Sequence, residues 1–186
     1  MITLVFFLEE PSAKAMLEGF LPGLVSDSVN TRFIVFEGKQ DLEKQLERRI
    51  RGWRSPDSKF VIIRDQDSGD CHTIKARLVE KCAAAGHPDV LVRIACRELE
   101  SWYLGDLSAV AKAFGLPAIE RRASESKFRD PDRLNNPAQE LISLTQGRYQ
   151  KIAGSRALGP LLNANANVSP SFNTLLAGLR RLIPAS

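Results

Sequence analysis

Two aspartates separated by one residue follow a short apolar run in this chain. Residues 60–63 read Phe-Val-Ile-Ile, a run typical of a buried parallel strand, and Asp65 and Asp67 come directly after it. Because side chains alternate along a strand, we expect both carboxylates to point to the same side. Two negative charges roughly 5 Å apart repel by about 3 kcal/mol at an effective dielectric of about 20, and a hard divalent cation relieves that repulsion. A solvated turn explains the same residues, since Asp, Ser and Gly are common in turns.

Acidic residues also follow two other apolar runs. Residues 2–8 end in Glu9 and Glu10, and the run at 90–95 is followed by Glu98 and Glu100. Ligands of open parallel sheets bind beyond the carboxyl ends of the strands, so we expect Glu9 to converge with the aspartate pair and Glu98 and Glu100 to lie at the same edge. The alternatives are ordinary ones, because carboxylates also favour the first turn of a helix and form ion pairs with nearby arginines.

The segments that must position these acids alternate between strand and helix. This alternation predicts an α/β fold with a mainly parallel, four-stranded sheet and right-handed crossovers. The predicted strands are 2–8, 31–36, 59–64 and 89–97, and the predicted helices between them are 11–20, 39–53 and 73–85. A further helix begins near 98, and the segments near 107–114, 137–146 and 171–182 also look helical. We therefore expect a βαβ core over 1–106 and a helical extension over 107–186, packed together as one compact domain.

Composition describes an ordinary globular protein. The 186 residues carry a net charge of +4, which permits a polyanionic partner without requiring one. Three cysteines, the absence of a secretory pattern and an apolar start too short to span a bilayer predict a cytoplasmic protein without membrane contact. A zinc site is disfavoured because the spacing of the nearby cysteines and histidines matches no common finger or ribbon, and Cys82 and Cys96 read as core residues. The residues considered for zinc are Cys71, His72, Cys82 and His87.

A glutamate after the first strand and Asp-x-Asp after a later strand resemble the TOPRIM domain of topoisomerases, primases and related nucleases. More closely, the chain resembles small stand-alone TOPRIM-like proteins that are often encoded beside AAA- or ABC-type ATPases in bacterial defence loci. The chain departs from the usual pattern at Glu10, where TOPRIM domains commonly have glycine. The segments that carry the closer resemblance are Glu9–Ser12, Asp65–Asp67, Glu98–Trp102, Tyr149–Lys151 and Ser169–Phe172.

The resemblance implies a TOPRIM/Rossmann-like sheet and a set of site residues. Asp65 and Asp67 would hold Mg²⁺ or Mn²⁺, and Glu9 would be a metal ligand or the general acid/base. Nucleases of the overcoming-lysogenisation-defect type have a second acid four positions after that glutamate, where this chain has Ala13. A second metal would therefore need other ligands, and Lys151 is expected near the scissile phosphate by analogy. The residues that could supply that second metal site are Asp70, Glu98 and Glu100.

These expectations favour a metal-dependent nuclease or nicking subunit acting on DNA or RNA, with a partner ATPase implied by the resemblance. The arginine- and lysine-rich stretches at 48–54 and 121–129 would contact a phosphate backbone or form a solvated face. One alternative is a non-catalytic accessory subunit that docks an ATPase through the region of Trp102 and Tyr103 and the C-terminal helices. Another is a phosphatase acting on a small molecule. No phosphate loop is present in the sequence, so we expect no bound nucleotide.

Overall fold

Four parallel strands form the central sheet of the protein, whose computed structural model describes residues 2–183. The strands lie in the order β2-β1-β3-β4, so the first and third strands are central and the acids that follow them are neighbours. The predicted mainly parallel, four-stranded sheet is confirmed. The strands are β1 (Ile2–Leu8), β2 (Val29–Val35), β3 (Ser58–Asp65) and β4 (Leu91–Ala95).

Eight α-helices within the described residues flank the sheet and form the C-terminal part of the chain. Pro11 begins the first helix, where its missing N–H costs nothing. The helices are α1 (Pro11–Phe20), α2 (Lys39–Arg51), α3 (Cys71–Ala84), α4 (Glu100–Leu104), α5 (Leu107–Phe114), α6 (Pro137–Leu144), α7 (Lys151–Leu158) and α8 (Pro170–Leu182). Over residues 2–183, none of the helices combines the length and apolar character that a membrane crossing requires.

Alternation along the strands divides the core into two layers. Leu4, Phe6 and Leu8 pack with α1 and the C-terminal helices on one face, while Val5 and Phe7 pack with α2 and α3 on the other. All five side chains are fully buried, as expected for a central parallel strand. At the edge of the sheet where the acids lie, a side chain can therefore face either of these two layers.

Several local expectations are corrected by the structure. Strand β4 ends at Ala95 rather than 97, because Arg97 adopts a positive φ of 62° and turns the chain toward α4. Cys96 consequently lies beyond the strand and is half-buried rather than a core residue, whereas Cys82 is buried as predicted. The helix α7 had no clear signal in the sequence and was not predicted.

The proposed docking surface around Trp102 and Tyr103 is wrong. Both side chains are fully buried, and the Trp102 indole N–H donates to the Ser171 hydroxyl at 2.8 Å while the Tyr103 hydroxyl donates to Ser155 at 2.7 Å. Buried aromatic residues with satisfied polar atoms belong to the core that joins α4 to the C-terminal helices. Neither ring is available to a partner protein.

Candidate functional site

Glu9 and Glu10, which are adjacent in sequence, interact with groups on opposite sides of the sheet. Glu9 approaches the buried Arg64 side chain, whose Nε lies 3.8 Å from its carboxylate. Glu10 instead binds Lys151 on α7, with 2.6 Å between the carboxylate and the ammonium nitrogen. The acidic edge, defined here as Glu9, Glu10, Asp65, Asp67 and Glu100, therefore consists of two groups of side chains.

The inner group lies on the side of α1 and the C-terminal helices and comprises Glu10, Asp65, Glu100 and Lys151. Asp65 ends β3 with only 9% of its surface exposed. Burial holds its pKa well above the usual range, and the negative charges of Glu10, Glu100 and Glu9 raise that pKa further, while Lys151 opposes them. The inner group thus has three carboxylates and one ammonium group, which leaves it net negative when all are ionised.

Glu100 is the most deeply placed acid of the inner group, with 1% of its surface exposed. Its Oε1 accepts a hydrogen bond from the Tyr149 hydroxyl at 2.7 Å, whereas Oε2 is buried without a hydrogen-bond partner among the described residues. Burial raises the Glu100 pKa, and the bond from Tyr149 acts in the opposite direction. A buried carboxylate oxygen without a hydrogen bond is costly, and protonation of the carboxyl or a positive charge beside it would lower that cost.

Lys151 begins α7 and provides the positive charge of the inner group. Burial lowers its pKa, but the bond to Glu10 and the charges of Glu10, Glu100 and Asp65 together raise it above the ordinary value. The Ser12 hydroxyl donates to the other Glu10 oxygen at 2.9 Å, so both oxygens of that carboxylate have partners. The lysine predicted near a scissile phosphate is therefore in contact with the acidic edge.

The outer group lies on the side of α2 and α3 and comprises Glu9, Asp67, Lys39 and Arg64. Asp67 follows β3 in a left-handed conformation, with φ of 54°, so strand alternation no longer applies to it. The expectation that Asp65 and Asp67 point to the same side is therefore wrong. Its carboxylate binds Lys39, the first residue of α2, at 2.6 Å. Glu9 links the two groups, because its carboxylate accepts the Asp65 backbone N–H at 3.1 Å. Burial raises the pKa of Glu9, and this hydrogen bond opposes the rise.

Two of the acids predicted as ligands form local structural contacts instead. The Asp70 carboxylate caps α3 by accepting the Thr73 backbone N–H at 2.7 Å, a bond that lowers the Asp70 pKa. The Glu98 carboxylate accepts the Ala138 N–H in the first turn of α6 at 2.8 Å. Each carboxylate thus satisfies unpaired donors at a helix start, as is common for acids in such positions. A role for either residue as a ligand stays a prediction.

The donor set of the acidic edge fits a hard divalent cation, although it is not closed around one. Within residues 2–183, no three Asp, Glu, His or Cys side chains are grouped closely enough to hold a metal ion. Two of the acids have an internal counter-ion, since Lys151 binds Glu10 and Lys39 binds Asp67. Carboxylate oxygens are the ligands that Mg²⁺ and Mn²⁺ prefer, and the unpartnered Glu100 Oε2 indicates a place for added positive charge.

Sequence reasoning missed Glu10, Lys39 and Tyr149 as members of the candidate site. Tyr149 and Glu10 belong to segments that carry the family resemblance, but neither has a local signal for its partner. Lys39 does have a weak sequence signal. A positive charge at the first position of a helix is unfavourable with the helix dipole, which suggests that the lysine has a partner elsewhere. The same signal is present at Lys151, which begins α7.

Comparisons with known proteins agree with this architecture. Residues 8–180 match the family described as Domain of unknown function (DUF4276), so the chain belongs to that family. A comparison with curated proteins finds no match. The fold is similar to the C-terminal region of the Burkholderia pseudomallei OLD protein, with a TM-score of 0.57 and 16% sequence identity over 97% of this chain and 98% of that chain. At that identity the similarity concerns the fold alone.

Proposed function

For this protein of the DUF4276 family, we propose that the acidic edge is the active site of a nuclease that depends on Mg²⁺ or Mn²⁺ and cleaves phosphodiester bonds in DNA or RNA. One observation carries the proposal. Asp65 at the end of β3, Glu10 just after β1 and Glu100 at the start of α4 are buried together to different extents, and one buried carboxylate oxygen is left without a hydrogen bond among the described residues. A fold accepts such concentrated negative charge where a cation offsets it.

Each residue of the acidic edge has its own role in the proposed reaction. Asp65, Asp67 and Glu9 are the ligands implied by the resemblance, and Glu10 and Glu100 are added by their position beside Asp65. A bound divalent cation supplies charge stabilisation and lowers the pKa of an attacking water. Lys151, which is half-exposed, donates to the negatively charged phosphate oxygens, and Tyr149 holds Glu100 in one orientation. Glu9 accepts or returns a proton if it is not itself a ligand.

The test combines metal binding with cleavage. Purified protein stripped with EDTA should bind Mn²⁺ in a calorimetric titration, and with Mn²⁺ it should cut plasmid, linear DNA or RNA. Glu100→Gln and Asp65→Ala should weaken Mn²⁺ binding and abolish cutting, whereas Glu18→Gln, at an exposed position on α1, should change neither. Cutting by Asp65→Ala at the wild-type rate would refute the nuclease assignment.

A partner ATPase remains part of the proposal, because the resemblance implies one. If the isolated chain binds Mn²⁺ but does not cut, adding an ATPase encoded beside the gene becomes the next measurement. A chain that binds no Mn²⁺ at millimolar concentration instead favours the non-catalytic accessory subunit. The internal ion pairs of Lys39 and Lys151 with the acids would then be permanent structural features.

A further inference from the structure

A polar groove opens beside Asp67, on the outer side of the acidic edge. Its volume is about 330 Å³, and it lies between the start of α2 and the turn that joins β3 to α3. Three cationic side chains line it, together with Asp67 and the turn residues. These cations are Lys39, Arg64 and Arg77.

The cations of the groove are held by acids that belong to the protein itself. Lys39 binds Asp67 at 2.6 Å, and Glu43 binds both Arg77, at 2.7 Å, and Arg64. Only 6% of the Arg64 side chain is exposed, and its Nε lies 3.8 Å from the Glu9 carboxylate without a hydrogen bond among the described residues. The partners of these cations are thus carboxylates of the protein itself, and a cation of this kind can bind a phosphate once its carboxylate partner is engaged elsewhere.

The position of Lys39 is difficult to explain by helix stability. As the first residue of α2 it places a positive charge at the positive end of the helix dipole, an arrangement that is unfavourable. Its side chain is also nearly half-exposed, so burial does not fix it there. The contact with Asp67 is therefore the feature of the structure that accounts for its orientation.

From these contacts we infer that Lys39 is a second phosphate-binding lysine, which neutralises Asp67 until a divalent cation takes that carboxylate. The inference rests on the proposed function. Without metal, Lys39 is the counter-ion of Asp67. With metal bound at Asp67, the ammonium group is free to contact a backbone phosphate of the nucleic acid in the groove, on the opposite side of the edge from Lys151. The substrate would then be held by one lysine on each side of the carboxylates.

The first measurement compares Lys39→Met with Lys44→Met, a matched control at an exposed position on the same helix. Removing an exposed ion pair should release Asp67 and make Mn²⁺ bind about two- to fivefold more tightly to Lys39→Met, as followed by calorimetric titration of the EDTA-stripped proteins. Lys44→Met should bind Mn²⁺ as the wild type does. Equal or weaker Mn²⁺ binding by Lys39→Met would overturn the inference and leave the nuclease proposal intact.

The second measurement uses a 20-base-pair DNA duplex and an RNA of the same length, with each variant placed in a Glu100→Gln background so that the nucleic acid stays intact. The Mn²⁺ concentration is one that saturates the Glu100→Gln protein in calorimetric titration. In Mn²⁺, Lys39→Met should reduce the slope of log affinity against log salt concentration by about one, the value for one lost phosphate contact. In EDTA the slopes for Lys39→Met and for the protein that keeps Lys39 should be equal, because Lys39 is then paired with Asp67 and does not contact the phosphate. A slope that is unchanged in Mn²⁺ would refute the phosphate contact. Absence of Mn²⁺ binding by the wild type would overturn this inference together with the proposed function.

Discussion

Replacing Asp65 with asparagine should stabilise the metal-free protein at neutral pH. The side chain is 9% exposed and lies within the fields of three other carboxylates, so its negative charge is unfavourable in the folded state. Asparagine keeps the shape of the side chain and removes the charge. Removing an unfavourable charge from a functional site commonly adds about 0.5–2 kcal/mol to the free energy of unfolding. For a chain of this length, that range corresponds to a rise in Tm of about 1–8 °C.

The pH dependence of this effect has a defined sign. Because the Asp65 pKa is raised in the folded protein, folding favours its protonated form. That contribution is fully present below the ordinary Asp pKa of about 3.9 and is lost as the pH rises through the raised value. The difference in Tm between Asp65→Asn and the wild type should therefore be largest near pH 8 and shrink toward pH 5. Thermal unfolding in EDTA, followed by circular dichroism, measures it.

Added Mn²⁺ should reverse the order of stability. At a free concentration 100 times its Kd, a ligand stabilises the wild type by about 2.7 kcal/mol, and Asp65→Asn should gain much less because it has lost a charged ligand. Asp27→Asn, at an exposed position, is the control and should follow the wild type throughout. A Tm of Asp65→Asn equal to or below that of the wild type in EDTA at pH 7.5 would refute the reasoning about buried charge.

Three further substitutions test the structure that supports the site, each by urea unfolding. Tyr149→Phe should lower the free energy of unfolding by about 1–3 kcal/mol, since it removes the hydrogen bond to the buried Glu100 carboxylate; an unchanged value in EDTA would contradict that contact. Gly154→Ala should cost about 1–3 kcal/mol, because an added Cβ would lie 2.4 Å from the Tyr149 ring, and a neutral result would show that the ring can move. Ser169→Ala should cost about 1–3 kcal/mol, because the buried hydroxyl caps α8 and also donates to Asp132 at 2.7 Å, whereas Ser143→Ala at an exposed position should be neutral; equal effects would contradict the role of these two bonds.

The sequence was sufficient for the elements of the sheet and for the acids that follow them. Period-two and period-3.6 patterns are local, so β1, β3 and their flanking helices were predicted to within a few residues. The shortened β4 and the helix α7 were not predicted. The turn after Ala95 depends on a positive φ at Arg97, and α7 is a short helix with a weak apolar stripe whose stability comes from packing against α1.

What the sequence alone determined is that several carboxylates would meet at one end of a parallel sheet. Only the tertiary structure decided which of them share a site, because partners such as Tyr149 with Glu100, Lys151 with Glu10 and Lys39 with Asp67 lie far apart along the chain. The alternation of side chains places Glu9 and Glu10 on opposite faces of the sheet. Which partners each of them meets depends on which helices cover that face. Local patterns carry no information about such pairings, since they form only when the helices pack.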